Sequence, residues 1–120
     1  MQSLPGSETR WQLYRLLSDP VRLRLLALAA EEELSVGELA ELLGEAQPNV
    51  SRHAAPLRQA GLLDDRRQGT RTLVRLSDVA SRDPVVTDAL AAGRRMCQAE
   101  GSLGKVAEVV ASRDAKTREF

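Results

Sequence analysis

Between residues 45 and 75 the chain carries six arginines (52, 58, 66, 67, 71 and 75) against Glu45, Asp64 and Asp65, a local net charge of +3. Nothing else in the chain repeats that bias. Residues 1–44 carry −3, residues 76–120 balance, and the whole chain is neutral, with 17 basic and 17 acidic residues. The polar residues of the basic segment have helical spacing. Val50, Ala54 and Leu57 fall at i, i+4 and i+7, a narrow buried stripe. The opposite face then shows Pro48, Ser51, Arg52, Ala55 and Gln59, flanked by Asn49 and Arg58. Such side chains suit duplex DNA: arginine pairs bidentately with guanine, asparagine and glutamine pair with adenine, and serine has several partners. Gln47, Asn49, Ser51 and Arg52 are the expected base readers, with Arg58, Arg66, Arg67 and Arg71 on the phosphate backbone. A concentrated positive patch is the footprint that nucleic acid requires, and its binding falls steeply with salt.

These residues need elements to hold them. Ser35 and Glu38 have the spacing of a capping box, which starts a helix buried through Leu39, Ala40, Leu42 and Leu43. Gly44 ends that helix as a C′ glycine. A second helix opens at Gln47-Pro48, where proline has no N–H to lose, and closes at Gly61. Residues 64–76 then read as a hairpin: Gly69 supplies the positive φ of a tight loop, and Thr72, Leu73 and Val74 suit a strand. The order predicts a helix-turn-helix with a wing over residues 35–76, a device that lays one helix in the major groove.

The remaining segments form a helical frame, so the fold class is mainly α with one small β-hairpin. A helix is expected over Glu8–Leu17, and another after Asp19-Pro20, with Glu31-Glu32-Glu33 as a solvated turn. Asp83-Pro84 opens a helix whose Val85, Val86, Ala89, Leu90, Gly93, Met96 and Cys97 form a continuous apolar stripe. Its Ala and Gly residues permit close helix approach. Gly101-Ser102 interrupts the chain, and Leu103, Val106, Ala107 and Val110 mark a short last helix. The domain is thus 1–112, and 113–120 is a frayed tail or the junction to a missing segment.

One cysteine and one histidine in 120 residues make a poor metal site, so neither metal nor cofactor is expected. Cys97 reads as a small core hydrophobe or, alternatively, as a redox-sensitive thiol paired with its twin and acidified by Arg94 and Arg95. His53 reads as a packing residue or a phosphate ligand. No nucleophile–base pair or phosphate-binding glycine loop appears, so the chain is not read as an enzyme. No run approaches 18 apolar residues and no signal pattern opens the chain, which places it in the cytoplasm with no membrane partner. Only Trp11, Tyr14 and Phe120 are aromatic. The resulting small core favours burial of further surface in a dimer.

Leu17-Ser-Asp-Pro-Val-Arg-Leu-Arg-Leu-Leu26, Glu33-Leu-Ser-Val-Gly-Glu-Leu-Ala-Glu-Leu-Leu43, Gln47-Pro-Asn-Val-Ser-Arg-His53 and Leu57-Arg-Gln-Ala-Gly-Leu-Leu63 together resemble the ArsR/SmtB-type winged-helix repressors of bacteria, over residues 8–100. The resemblance implies a homodimer on an inverted-repeat operator in double-stranded DNA, released by an effector. By position and by that similarity, dimerisation falls to the N- and C-terminal helices, through Trp11, Tyr14, Val86, Ala89, Leu90, Gly93, Met96 and Cys97. The frame around Trp11, Val86, Leu90 and Met96 offers an unknown small effector a place. Three departures stand out. The segment Leu34–Leu39 lacks the cysteines of the family's metal sensors, and the last long helix has no histidine. Ala46 replaces a capping serine, forfeiting about 1 kcal/mol. Pro56 lies inside the recognition helix, at a cost of roughly 3 kcal/mol, and predicts a kink or local distortion near 52–56. Two other readings stay open: the regulatory head of a larger methyltransferase-type enzyme, whose junction the ending SRDAKTREF resembles, and a winged helix for protein contacts alone, against which the arginine clustering argues.

Overall fold

The computed structural model describes residues 10–118. Seven helices and one hairpin follow in order: α1 (Arg10–Leu17), α2 (Pro20–Glu31), α3 (Val36–Leu43), α4 (Gln47–Gln59), β1 (Leu63–Gln68), β2 (Arg71–Leu76), α5 (Asp78–Ser81), α6 (Pro84–Glu100) and α7 (Val106–Arg118). Local chemistry sets most boundaries. Asp19 caps α2, its Oδ1 accepting from the amides of Val21 and Arg22, and Asp83 caps α6 in the same way. Ser35 and Glu38 form the reciprocal capping box on α3, and Gly44 ends it in the left-handed region at φ 67°. In the hairpin Gln68 pairs with Arg71, leaving the two-residue loop Gly69-Thr70 with Gly69 at φ 64°. Glycine at the first loop position is what a tight hairpin turn demands. Leu34 adds a one-residue bridge to Val74, so the approach to α3 is stitched to the base of the wing.

The core is built on α2. Leu25 through Ala29 are all buried, and Leu13, Leu39, Val50, Leu57, Leu62 and Val74 converge on the same cluster. Helix α6 crosses α2 at close range. A Cβ on Gly93 would sit 2.1 Å from the Leu23 carbonyl oxygen and 3.0 Å from the Ala27 Cβ. This crossing corrects the expected dimer stripe: Val86, Gly93 and Cys97 are buried within a single chain and have no surface left for a partner, and Ala89 keeps only a small exposed edge. Trp11 and Tyr14 remain 57% and 60% exposed, with Leu90 and Met96 half-buried.

Two further expectations change. The turn after α6 contains a 3-10 segment, Leu103–Lys105, which shifts the phase of the last helix. Val106 and Val109 point into the core while Ala107 is exposed, and the helix runs on to Arg118 rather than fraying after residue 112. The acidic run 31–33 is not simply solvated, since Glu31 pairs with Arg94 and Glu33 with Arg66. The expected first-helix residues 8 and 9 and the last two tail residues lie outside the described part. No helix among the described residues is long and apolar enough to cross a membrane.

The α2–α6 crossing yields a direct expectation. Gly93→Ala should lower unfolding stability by about 1–3 kcal/mol, because the added methyl meets backbone that cannot give way. Gly104→Ala, where an added Cβ meets nothing within 4 Å, should stay within about 0.5 kcal/mol of the parent. Urea unfolding followed by circular dichroism measures both.

Candidate nucleic-acid interface

Val50, Ala54 and Leu57 are fully buried and fix the rotation of α4. Gln47, Pro48, Ser51, Arg52, Ala55 and Gln59 are therefore left on its open side. Ala46 makes no side-chain cap, as its identity dictates. Pro56 falls at the start of the last turn, and α4 continues unbroken through it from Gln47 to Gln59. At that place only the Arg52 carbonyl loses an amide partner, and the closing turn is satisfied by Ala60 N–H donating to the Pro56 carbonyl at 3.0 Å.

His53 does not join the open face. Its Nδ1 accepts from Arg22 Nε at 3.1 Å, and Asp19 Oδ1 lies 3.9 Å away. Arg22 also donates to the Leu16 carbonyl at 3.1 Å, so one guanidinium ties the end of α1, the start of α2 and the middle of α4 together. Its small exposed fraction and these contacts make His53 a strut between helices rather than a phosphate ligand.

The wing divides its arginines. Residues opposite one another in an antiparallel pair share a face. The register Asp65↔Val74, Arg67↔Thr72 and Gln68↔Arg71 therefore separates Asp65, Arg67 and Thr72 from Arg66, Arg71, Leu73 and Arg75. Arg58 of α4 donates to Asp65 Oδ1 at 2.9 Å, which marks the Arg67 face as the one beside α4. Arg67 is exposed there, with no ion pair among the described residues. Arg66 is not free as expected. Its Nε donates to Glu33 Oε1 at 2.6 Å, and Arg75 lies 3.7 Å from the same carboxylate. Arg66 holds the Glu33 carboxyl below its ordinary range, outweighing what burial does to raise it. Arg71 is half-buried and faces a cleft shared with Val109, Ser112 and Arg113 of α7.

Helix α7 is anchored across the support of the reader. Arg113 donates through Nε to Glu38 Oε2 at 2.7 Å, through Nη2 to Glu38 Oε1 at 2.6 Å, and to the Glu33 carbonyl at 3.1 Å. Burial pushes the Glu38 carboxyl up, but Arg113 and the Ser35 amide together hold it below the usual carboxylate range. Sequence reasoning passed over Arg22, Glu33, Glu38 as a partner of α7, Glu45 and Arg113. All five act through contacts with residues distant in the chain or through side-chain pairs that no periodicity displays.

The other expected chemistry is reduced. Cys97 is fully buried, its Sγ 3.8 Å from the Arg24 carbonyl. Burial pushes its thiol up, against the expected acidification, and Arg94 is occupied by Glu31. Among the described residues no cluster of histidine, cysteine and carboxylates could hold a metal ion. An open groove of about 540 Å³ runs between α1 and α6, lined by Tyr14, Leu17, Leu23, Pro84, Val85 and Ala89. The Arg10 guanidinium, also at this groove, makes a bidentate pair with Asp83 at 2.6 and 2.9 Å and holds that carboxyl below its ordinary range.

Residues 17–66 match the model of a helix-turn-helix domain family. The chain is 37% identical over 109 residues to the HTH-type transcriptional regulator KmtR of Mycobacterium tuberculosis, covering 86% of this chain and 84% of that one. It is 46% identical over 67 residues to the arsenical resistance operon repressor of Escherichia coli, covering 55% and 57% of the two chains. Its fold is similar to the crystal structure of the transcriptional repressor BigR from Xylella fastidiosa, with TM-score 0.64, 31% identity, and 78% and 89% of the two chains covered.

Asp83, Glu33 and Glu38 all have folded-state pKa values below their unfolded ones. Their stabilisation is complete above the unfolded values, near 4, and is lost as pH falls through the folded values. The urea midpoint should be flat from pH 7 to about 5 and drop below about 4. Glu38→Gln should lower the unfolding free energy by about 1–3 kcal/mol at pH 7, through the lost charged hydrogen bonds, and make the acid decline shallower.

Proposed function

The chain belongs to the ArsR/SmtB family of winged helix-turn-helix transcriptional regulators, and from that premise we propose that it is a dimeric repressor of an inverted-repeat operator, released by a small non-metal effector. The observation that carries this reading is the shared outward side of α4 and the wing: Gln47, Ser51 and Arg52 stand open on the helix, with exposed Arg67 on the adjoining hairpin face. In this arrangement the helix residues meet base edges and Arg67 meets backbone. Pro48 contributes an apolar contact at the helix start. Arg58 joins the phosphates by leaving Asp65, while Arg66, on leaving Glu33, and Arg71 do so only from the outer face of the wing.

A second copy is the occupant proposed for the α1–α6 groove. Exposed Tyr14 lines it and exposed Trp11 lies on the same helix, with Leu90 and Met96 half-covered on α6. Two-fold pairing across it sets the two α4 helices about 34–36 Å apart, one turn of DNA. Release by oxidation is disfavoured, because the Cys97 thiol is fully buried and kept protonated. Release by a small organic effector is the proposed alternative.

Gel-shift titration on DNA upstream of its own gene, at several salt concentrations, tests the proposal. Arg67→Ala should weaken all sequences alike and reduce the salt slope by about 1. Arg52→Ala should cost about 1–3 kcal/mol and relax the preference at one base position. Equal, salt-insensitive binding by parent and variants would refute the reading. Tyr14→Arg should convert dimer to monomer in sedimentation, with far weaker operator binding.

A further inference from the structure

At the start of α4 three polar side chains are connected in series. Asn49 Nδ2 donates to Glu45 Oε1 at 2.5 Å, and Arg52 Nη2 donates to Asn49 Oδ1 at 3.4 Å. A carboxylate only accepts, so Glu45 must take the amide N–H of Asn49, and the amide oxygen is thereby turned toward Arg52. Glu45 is itself placed by backbone, since its N–H donates to the Ala40 carbonyl at 3.1 Å immediately after the left-handed Gly44. Its exposure is intermediate, as is that of Asn49, while Arg52 is open to solvent.

Reading adenine uses an amide's donor and acceptor together. Of its two N–H donors Asn49 commits one to a charge-assisted bond, and its acceptor is turned to a guanidinium, so the amide is not presented freely as a donor–acceptor pair. Four of the five N–H donors of Arg52 remain, enough for the O6 and N7 of a guanine. We propose that Glu45 and Asn49 are positioning residues that aim Arg52 at a guanine, so that Asn49 does not read a base and Glu45 determines specificity. This deepens the DNA-reading proposal and rests on it. The Glu45 charge near the DNA surface disfavours every complex alike, and only a site whose guanine engages the aimed arginine offsets that penalty.

The test measures Kd of the full chain for operators carrying each of the four bases at the position sensitive to Arg52, and for unrelated duplex, at one salt concentration. Parent protein should prefer guanine by about tenfold or more, and Arg52→Ala should erase the preference. Asn49→Ala and Glu45→Ala should each cut it about threefold to tenfold at that position alone. Glu45→Gln, which keeps an acceptor for Asn49 and leaves the helix intact, should retain most of the preference and bind unrelated duplex a few-fold tighter. A selective parent whose guanine preference survives Asn49→Ala and Glu45→Ala, or an Asn49→Ala variant that instead loses an adenine preference elsewhere, overturns the relay and leaves the regulator reading standing. A parent with no preference for any sequence brings down both.

Discussion

The absence of a side chain at Gly93 is the constraint around which the molecule is organised. It lets α6 lie directly on the backbone of α2, with the Leu23 carbonyl in the space a methyl would fill. Helix α2, buried along Leu25–Ala29, becomes a common spine. At its first turn Arg22 reaches α4 through His53 and α1 through Leu16. Just past its last turn Glu33 reaches the wing, and Glu31 reaches α6. The reader and the α1–α6 groove are thus referenced to one rigid helix, so a displacement at the groove has a short mechanical route to α4.

The neutral charge of the chain conceals how its charges are spent. Arg10–Asp83, Arg24–Glu100, Arg58–Asp65, Arg66–Glu33, Arg94–Glu31 and Arg113–Glu38 are all paired. The exposed pairs among them contribute little to stability, about 0–1 kcal/mol each. On the proposed DNA-binding reading, their larger effect is to decide which cations can meet a phosphate without first giving up a partner. Arg67 has no carboxylate partner among the described residues, and Arg52 has only a long contact to a neutral amide, which it can keep. Arg58 and Arg66 are each held by a carboxylate, so on that reading fewer phosphates would be neutralised than the arginine count suggests.

Features governed by neighbouring residues were legible in the sequence: the Ser35–Glu38 capping box, the Asp19-Pro20 helix start, the Gly44 stop, the Gly69 turn and the buried stripe of α4. Each arises from chemistry within a few residues. The face of α6 was misassigned because apolar spacing reports that a stripe is covered, not which chain covers it. Val86, Ala89, Gly93 and Cys97 have the same periodicity whether α2 or a partner lies on them. His53 sits beside the stripe in sequence but is drawn inward by Arg22, 31 residues earlier. The length of α7 was hidden for a similar reason. A polar segment reads as loose until Arg113 is seen to meet a carboxylate 75 positions away. The 3-10 turn at Leu103–Lys105 then rotated the helix enough to exchange Ala107 for Val109 at the core.

Glu38 closes the first turn of α3 and also receives Arg113. One carboxylate therefore answers to two distant parts of the chain, so a change at position 38 or 113 is felt at the other. A lineage that replaces the arginine strands a poorly solvated anion, and one that replaces the glutamate frays the helix that supports the reader. Drift in the C-terminal helix is thus restrained by a helix start far upstream, and substitutions there should arise in compensated pairs.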